Sequence, residues 1–168
     1  MQPTTNNNTY TTWSDNEWNW FRWGEWKASP ERNRMFDFVK KTIQMRKDYK
    51  HVFAPTEYFA PPFAYKSEFN SDDVNWNGRA IMQHYYDSSI GPQVVVLYNM
   101  HRGPVNFTLP EGVDWYRLLD TQRYFDDVEF LETQGDDLVS YNVGMGDAPV
   151  GGSYEVPGST IVVLVEQQ

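Results

Sequence analysis

The sequence predicts a mainly β protein whose C-terminal half folds as an antiparallel β-sandwich. From residue 79 onward, short runs rich in β-branched and aromatic residues are separated by turn signals, with no helical pattern between them. This spacing is typical of a sandwich of about eight strands, and it also allows an antiparallel barrel. The strand candidates are 79–86, 93–99, 104–109, 115–120, 128–132, 138–143, 153–156 and 160–166.

Two of these runs are apolar without alternation. Val94–Leu97 and Ile161–Val165 contain only Val, Ile and Leu. A strand with one face in water alternates apolar and polar residues, whereas a strand covered on both faces stays apolar throughout. We therefore expect both runs to form central strands that are covered on both faces.

One amphipathic helix is predicted ahead of the strands, within residues 29–49. Ser29 suits the N-cap, Pro30 suits the first helical position, and Glu31 complements the helix dipole. Basic residues near the other end suit the dipole as well. A wide apolar stripe indicates that something large covers this helix. Its members are Met35, Phe36, Phe38, Val39, Ile43 and Met45.

The sequence predicts three regions along the chain. Residues 1–50 hold a Trp-rich loop and the helix 31–49, residues 51–78 form an aromatic connecting segment, and residues 79–168 form the sandwich domain. The connecting segment has no convincing period, and a structureless stretch of this length is unusual in a compact domain. Its many aromatic residues indicate that it lies against a surface, with a turn or exposed bend over Asn70–Asp73.

Composition excludes several classes of function. The 168 residues include 14 basic and 23 acidic ones, a net charge of −9, which argues against nucleic acid or an anionic membrane as the main partner. The absence of cysteine excludes disulfides, Cys-ligated zinc and thiol catalysis. The three histidines lack metal-ligand spacing, and His84 in its predicted strand is best interpreted as a structural or surface residue. We expect neither a metal nor a cofactor.

The acidic residues show no clear catalytic pair. With 23 of them, neighbouring carboxylates occur by chance, and Asp72–Asp73, Asp126–Asp127 and Asp136–Asp137 lie in turn-like contexts that favour solvated turn residues. Asp15 and Glu17 stand among tryptophans, where they could line a sugar pocket or cap backbone groups in a loop. The sequence has neither a phosphate-binding loop nor a nucleophile elbow.

The tryptophans are concentrated near the start of the chain. Five of the seven, Trp13, Trp18, Trp20, Trp23 and Trp26, fall within one short stretch, directly after an Asn-rich run. Flat aromatic faces cover the C–H surface of a sugar, while amides and carboxylates bind its hydroxyls. Sugar contact and turn formation are about equally supported for the first part, and packing is favoured for Trp18 to Trp26. The candidate substrate-binding residues are Asn8, Tyr10, Trp13 and Asp15.

Three stretches resemble the C-terminal part of isoamylases and glycogen debranching enzymes of the α-amylase superfamily, glycoside hydrolase family thirteen. Asn6–Tyr10, with Asp15–Trp20 and Trp23 after it, resembles the Asn-rich loop that follows the eighth strand of the family's (β/α)8 barrel. The helix 31–49 is similar to the last barrel helix. The third stretch resembles the family's C-terminal β-sandwich. It comprises Val94–Asn99, His101, Pro104–Pro110, Trp115, Leu118–Thr121 and Val156–Ser159.

The resemblance implies that a complete relative hydrolyses α-1,6 branch linkages of a glycogen- or starch-like α-glucan, with retention through two close carboxylates. The family's catalytic carboxylates come from barrel strands that would precede Met1, so no residue of this chain receives a catalytic role. The chain is then a fragment that borders the substrate cleft. The resemblance further implies docking onto the missing barrel, or self-association, and a cytoplasmic location if the protein is like its glycogen-debranching relatives.

Two other functions stay open at this stage. The chain could be a stand-alone carbohydrate-binding or interaction module built on the β-sandwich. It could also be a small independent enzyme, although no constellation of residues supports that interpretation. The apolar helix and the Trp-rich stretch favour the fragment over the free module, because a free module has no need of them.

Overall fold

The computed structural model describes residues 30–55, 62–121 and 150–167, together with Gly24 and Ala28. The chain divides into two compact units, Met1–Thr42 and Ile43–Gln168. The strand candidates 128–132 and 138–143 lie outside the described residues, as do the tryptophans from Trp13 to Trp26. All strands given below belong to the second unit.

The predicted helix is present as α1 (Pro30–Asp48). Pro30 is its first residue, and Arg46 and Lys47 lie in its last turn, where cations complement the negative end of the dipole. Three apolar side chains at helical spacing, Phe36, Val39 and Ile43, are between 46% and 51% exposed. The cover that the sequence predicts over the stripe stays a prediction, because most of the first unit lies outside the described residues. The cap proposed at Ser29 lies outside the described residues.

A single helical turn, α2 (Lys50–Phe53), follows α1. His51 Nε2 lies 3.1 Å from the carbonyl oxygen of Pro92, within hydrogen-bonding distance. The imidazole also lies directly over Gly91, where an added Cβ would be 2.6 Å from Nε2. Glycine at this position therefore lets the His51 ring approach the backbone at residues 91–92.

Seven strands occur in the described residues, and they form two antiparallel sheets. The larger sheet has five strands in the order β1-β2-β3-β7-β5, and the smaller one pairs β4 with β6. Every pairing is antiparallel. The strands are β1 (Phe63–Lys66), β2 (Ala80–Tyr85), β3 (Val94–Asn99), β4 (Val105–Thr108), β5 (Trp115–Asp120), β6 (Ser153–Val156) and β7 (Thr160–Glu166).

The main core lies on one side of the larger sheet and includes residues of the smaller one. Alternate residues of β2, β3 and β7 point into it together with Phe107 of β4 and Val156 of β6, so two sheets share one core as in a sandwich. Trp115 is fully buried there, and its indole N–H donates to the carbonyl oxygen of Pro110 at 2.9 Å, which satisfies its one polar atom. The described residues are thus mainly β, with two antiparallel sheets in a sandwich-like arrangement.

The opposite, outer face of the larger sheet is also buried along β3 and β7. Val94 and Val96 of β3 pair with Val165 and Val163 of β7, and all four side chains are buried although they alternate with the core residues. The prediction that these two runs form central strands covered on both faces is confirmed. We call these four residues the valine half of the outer face.

Six of the eight strand candidates are confirmed to within one residue at each end, and the other two lie outside the described residues. The strand β1 was not predicted. It is four residues long and comes from the connecting segment 51–78, where its short alternation is hidden by flanking prolines and loop residues. Its pairing with β2 adds an edge strand to the sheet. Within the described part of the chain, neither helix is long and apolar enough to cross a bilayer.

Candidate functional site

The candidate substrate-binding residues of the sequence, Asn8, Tyr10, Trp13 and Asp15, lie outside the described residues. The cleft-bordering role that the sequence assigns to them therefore stays a prediction. The described residues bring together a different set of aromatic and amide side chains, at the β1–β2 edge of the larger sheet. This set lies on the outer face, next to the valine half.

We call this set the β1–β2 aromatic surface. Phe63 and Tyr65 point outward from β1, and Trp76 reaches the same place from the following loop. The ring centroids of Phe63 and Tyr65 are 5.4 Å apart, and those of Tyr65 and Trp76 are also 5.4 Å apart. The exposed fractions are 43% for Phe63, 41% for Tyr65 and 70% for Trp76. The remaining members are Gln83 and Tyr85 of β2 and Tyr98 of β3.

Strand register brings the members of this surface together. Phe63 is opposite Tyr85 and Tyr65 is opposite Gln83 in the β1–β2 pairing. The Phe63 and Tyr85 ring centroids are 5.4 Å apart. Cross-strand neighbours on one face of an antiparallel pair lie close enough for their side chains to interact. The edge strand therefore adds two aromatic rings beside Tyr85, the one aromatic ring on the outer face of β2.

The loop that carries Trp76 is tied down by its own hydrogen bonds. Ser67 Oγ accepts from the backbone N–H groups of Phe69 and Ser71, and the backbone N–H of Ser67 donates to the carbonyl of Ser71 at 2.7 Å. Further along this loop, Asn75 Oδ1 accepts from the backbone N–H of Asn77 at 3.1 Å, and this bond forms an Asx-turn around Trp76. A local turn of this kind fixes the backbone that carries Trp76, whose ring is mostly exposed.

The polar groups of the surface are neutral. Gln83 Nε2 donates to the phenol oxygen of Tyr85 at 2.8 Å, and the phenol of Tyr98 lies 3.5 Å from Gln83 Oε1. Burial raises the pKa of the Tyr85 phenol above its usual 10.0, and the nearby Tyr98 and Tyr65 phenols act in the same direction. Burial, with Tyr65 again nearby, also raises the pKa of Tyr98. Both phenols therefore stay protonated at neutral pH.

A second polar group surrounds His84, on the inner side of β2. His84 Nε2 lies 3.0 Å from Gln93 Oε1, and the backbone N–H of Gln93 donates to Glu166 Oε2 at 2.9 Å. The imidazole meets the edge of the Trp115 ring with a centroid distance of 5.9 Å. Burial lowers the pKa of His84 below its usual 6.5. The neutral ring packs into the core, which confirms a structural rather than a surface role.

A third polar group joins the two sheets. The phenol of Tyr154 on β6 donates to Asp120 Oδ2 on β5 at 3.1 Å. Burial and the Asp120 carboxylate together raise the pKa of Tyr154 to about 12, although the Arg117 guanidinium acts in the opposite direction. A phenol with so high a pKa keeps its proton in the hydrogen bond. The pair thus holds the sheets together and has no proton to exchange near neutral pH.

Asn99, at the end of β3, is fully buried, and both polar atoms of its amide form hydrogen bonds. Its Nδ2 lies within 3.0 Å of the carbonyl oxygens of Gly103, Val156 and Pro157, and its Oδ1 accepts from the N–H of His101 at 2.9 Å. Gly158 lies so close to the same loop that an added Cβ would be 2.2 Å from the carbonyl oxygen of Arg102. This amide therefore joins the end of β3 to the end of β6.

The described residues show no group of three potential metal ligands. Asp72 is exposed and pairs with Lys66, and Asp73 is exposed as well. Their interpretation as solvated turn residues is confirmed, whereas the other two Asp pairs lie outside the described residues. Among the described residues Asp120 is the one buried acidic residue, and it accepts the hydrogen bond of Tyr154.

Sequence reasoning missed the β1–β2 aromatic surface. The connecting segment was expected to lie with its aromatics against a surface, but Phe69 and Trp76 are mostly exposed and Phe63 and Tyr65 are partly so. The expectation was wrong at these positions: the short edge strand turns Phe63 and Tyr65 outward, and Phe69 and Trp76 lie in the exposed turns that follow it. The signal that could have found it is the spacing of Phe63 and Tyr65, two residues apart, followed by Asn-Trp-Asn at 75–77.

The fold and this surface define an antiparallel β-sandwich with an exposed aromatic edge. No protein-family model matches the chain, and a search of curated proteins finds no match either.

Proposed function

We propose that this chain is the C-terminal portion of an α-glucan debranching glycoside hydrolase. In this proposal α1 is the last helix of a (β/α)8 barrel, and the β-sandwich packs on that barrel and stabilises it. The segment around Asn8, Tyr10, Trp13 and Asp15 borders the substrate cleft. The catalytic carboxylates belong to the barrel, so the chain does not hydrolyse glucan by itself.

The exposed apolar side chains of α1 carry the proposal. Val39 and Ile43, four residues apart on one face, are about half exposed on a helix whose other side chains include several charged ones. An apolar row of this kind is typical of a helix that packs against a further element. In a barrel the last helix packs against strands of the same barrel. The row is thus of the kind that such strands would cover.

The order of elements gives further support. One amphipathic helix is followed by an antiparallel sandwich, which is the order that the resemblance to debranching enzymes implies. The resemblance also includes Leu118–Thr121 and Val156–Ser159. In the structure these stretches hold buried core residues and two joints between the sheets, at Asp120 and around Gly158. Both stretches therefore have a structural role in the sandwich.

The test compares the chain with and without the protein encoded by the frame upstream of Met1. We expect that frame to encode a barrel, and the joined protein to release linear chains from glycogen by cleaving α-1,6 linkages. The 168-residue chain alone should release none in the same reducing-sugar assay. Turnover by the chain alone, or a joined protein that leaves branched glucan intact, would contradict the proposal.

A stand-alone carbohydrate-binding module is the second candidate. The observation that favours it is the β1–β2 aromatic surface, which belongs wholly to the second unit and needs no barrel residue. The upstream frame also separates the two candidates. A sandwich that is expressed by itself and binds polysaccharide would favour the module.

A further inference from the structure

We propose that the β1–β2 aromatic surface is a binding site for a neutral glucan chain, distinct from the cleft-bordering residues named above. That the sugar is a glucan rests on the proposed function, whereas the binding of a neutral carbohydrate chain rests on the surface itself. The site comprises Phe63, Tyr65, Trp76, Gln83, Tyr85 and Tyr98.

The aromatic rings supply apolar faces for the ligand. Tyr65 is at the centre of the row, with Phe63 on one side and Trp76 on the other, each at a centroid distance of 5.4 Å. The C–H faces of pyranose rings pack on aromatic faces, so a row of partly exposed rings can contact successive sugars. Strand register and the Asx-turn at 75–77 fix the backbone that carries these rings, so binding does not have to order that backbone.

The angles between the rings favour a curved chain over a flat one. Tyr65 is turned 81° from Phe63 and 79° from Trp76, so the rings do not form one plane. A straight, ribbon-like polymer needs coplanar rings to contact several sugars at once. An α-linked glucan changes direction along its length and can present its faces to rings of different orientation. The geometry therefore fits an α-glucan better than cellulose.

The polar groups next to the rings suit hydroxyl ligands. The phenol oxygen of Tyr85 accepts from Gln83, and its own O–H can donate to a further acceptor. The amide of Gln83 has two N–H donors, of which one is used by Tyr85. Sugar hydroxyls both donate and accept, and so match phenol and amide groups without any charge.

Charge disfavours the other occupants of such a surface. None of its six members is charged, so it offers no ion pair to an acidic polysaccharide or a charged peptide. The chain carries a net charge of −9, which opposes the approach of anionic polymers and of a second copy of itself. A neutral, hydroxyl-rich chain is the partner that this chemistry fits.

The test measures binding of the full chain to glycogen by affinity gel electrophoresis. Tyr65→Ala and Trp76→Ala should each weaken retardation by at least fivefold, because each removes one ring of the row. Tyr86→Ala is the matched control. Tyr86 is 50% exposed, but its ring contacts His84 on the inner side of the sheet, so this variant should bind like the wild type. Microcrystalline cellulose replaces glycogen in a parallel pull-down and should retain little protein.

Circular dichroism and thermal melting establish that each variant is folded before its binding is compared. Glycogen binding that survives both Tyr65→Ala and Trp76→Ala would overturn the site. Absence of binding by the wild-type chain would overturn it too, while leaving the hydrolysis test of the joined protein unaffected. Concentration-dependent dimerisation that Tyr65→Ala abolishes, without glycogen binding, would show a protein interface instead and would also overturn it.

Discussion

The outer face of the larger sheet has two halves that differ in side chains although they share one backbone. The valine half, on β3 and β7, is made of small β-branched residues that are almost completely buried. The β1–β2 aromatic surface beside it is made of large rings, phenols and an amide that are partly exposed. The strands of both halves are paired in the same antiparallel manner, so the difference in exposure comes from the side chains and not from the type of pairing.

The valine half contributes mainly to stability, and the aromatic surface is suited to binding a ligand. Burial of apolar side chains is the main favourable term in folding, so removing a buried valine should destabilise the protein. Removing a partly exposed ring should lower the free energy of unfolding less for each unit of its area, because part of its surface is already in water. Substitutions in the valine half should therefore act on the free energy of unfolding, and those in the aromatic surface mainly on ligand binding.

The largest effect is expected at Asn99, on the strand where the two halves meet. Asn99→Asp places a carboxylate opposite three carbonyl oxygens that Nδ2 now serves. We expect a loss of about 3–5 kcal/mol in the free energy of unfolding, since a buried charge without a donor is strongly unfavourable. Urea unfolding monitored by circular dichroism measures the change.

Asn106→Asp is the control for this substitution. Asn106 is exposed on β4, and the change in net charge is identical. We expect its free energy of unfolding to stay within about 0.5 kcal/mol of the wild type. If the two variants were equally stable, the joint between β3 and β6 would not depend on the Asn99 amide.

A direct test of the two halves compares Val163→Ala with Trp76→Ala. Val163 is buried on the outer face, and losing two methyl groups there should lower the free energy of unfolding by about 2 kcal/mol. Trp76 is mostly exposed, and its removal should cost less than about 1 kcal/mol despite the larger side chain. The same urea experiment measures both. A reversed order of stability would show that the aromatic surface is part of the core.

Local periodicity predicts the valine half but does not contain the information that forms the aromatic surface. A strand that is covered on both faces stays apolar over its whole length, so Val94–Leu97 and Ile161–Val165 stand out without any knowledge of their neighbours. The strand β1 has only four residues, and Phe63 and Tyr65 become a surface only through pairing with β2. That pairing is a long-range contact which local periodicity does not contain.

The difference between local spacing and long-range pairing also explains how much of the buried polar groups could be predicted. His84 was expected to be a structural or surface residue because it alternates within a predicted strand, and it does face the interior. Its bond to Gln93, and the bond between Tyr154 and Asp120, join residues from separate strands. Residue type and spacing suggest which side chains are inside, whereas the partner of each depends on sheet order.

The smallest expected effect is a dependence of stability on pH through His84, which lies on the inner side of β2, behind Tyr85. Burial lowers the pKa of His84 below 6.5, the Lys66 charge acts in the same direction, and the Gln93 hydrogen bond and the Glu166 charge oppose both. The unfolded chain then binds the proton more readily than the folded one. The stabilising contribution is therefore complete above pH 6.5 and decreases as the pH falls from there through the lower pKa of the folded state.

Urea unfolding at a series of pH values tests this dependence, with His84→Gln and His101→Gln as a matched pair. His101 is exposed in a turn, and its replacement controls for the loss of an imidazole outside the core. His84→Gln removes the titrating group and should flatten the slope of stability against pH below 6.5. If His84→Gln folds poorly, NMR titration of the wild-type imidazole gives the same information, since its midpoint should lie below 6.5. A midpoint above that value would contradict the prediction, and would mean that the Gln93 hydrogen bond and the Glu166 charge outweigh the effect of burial.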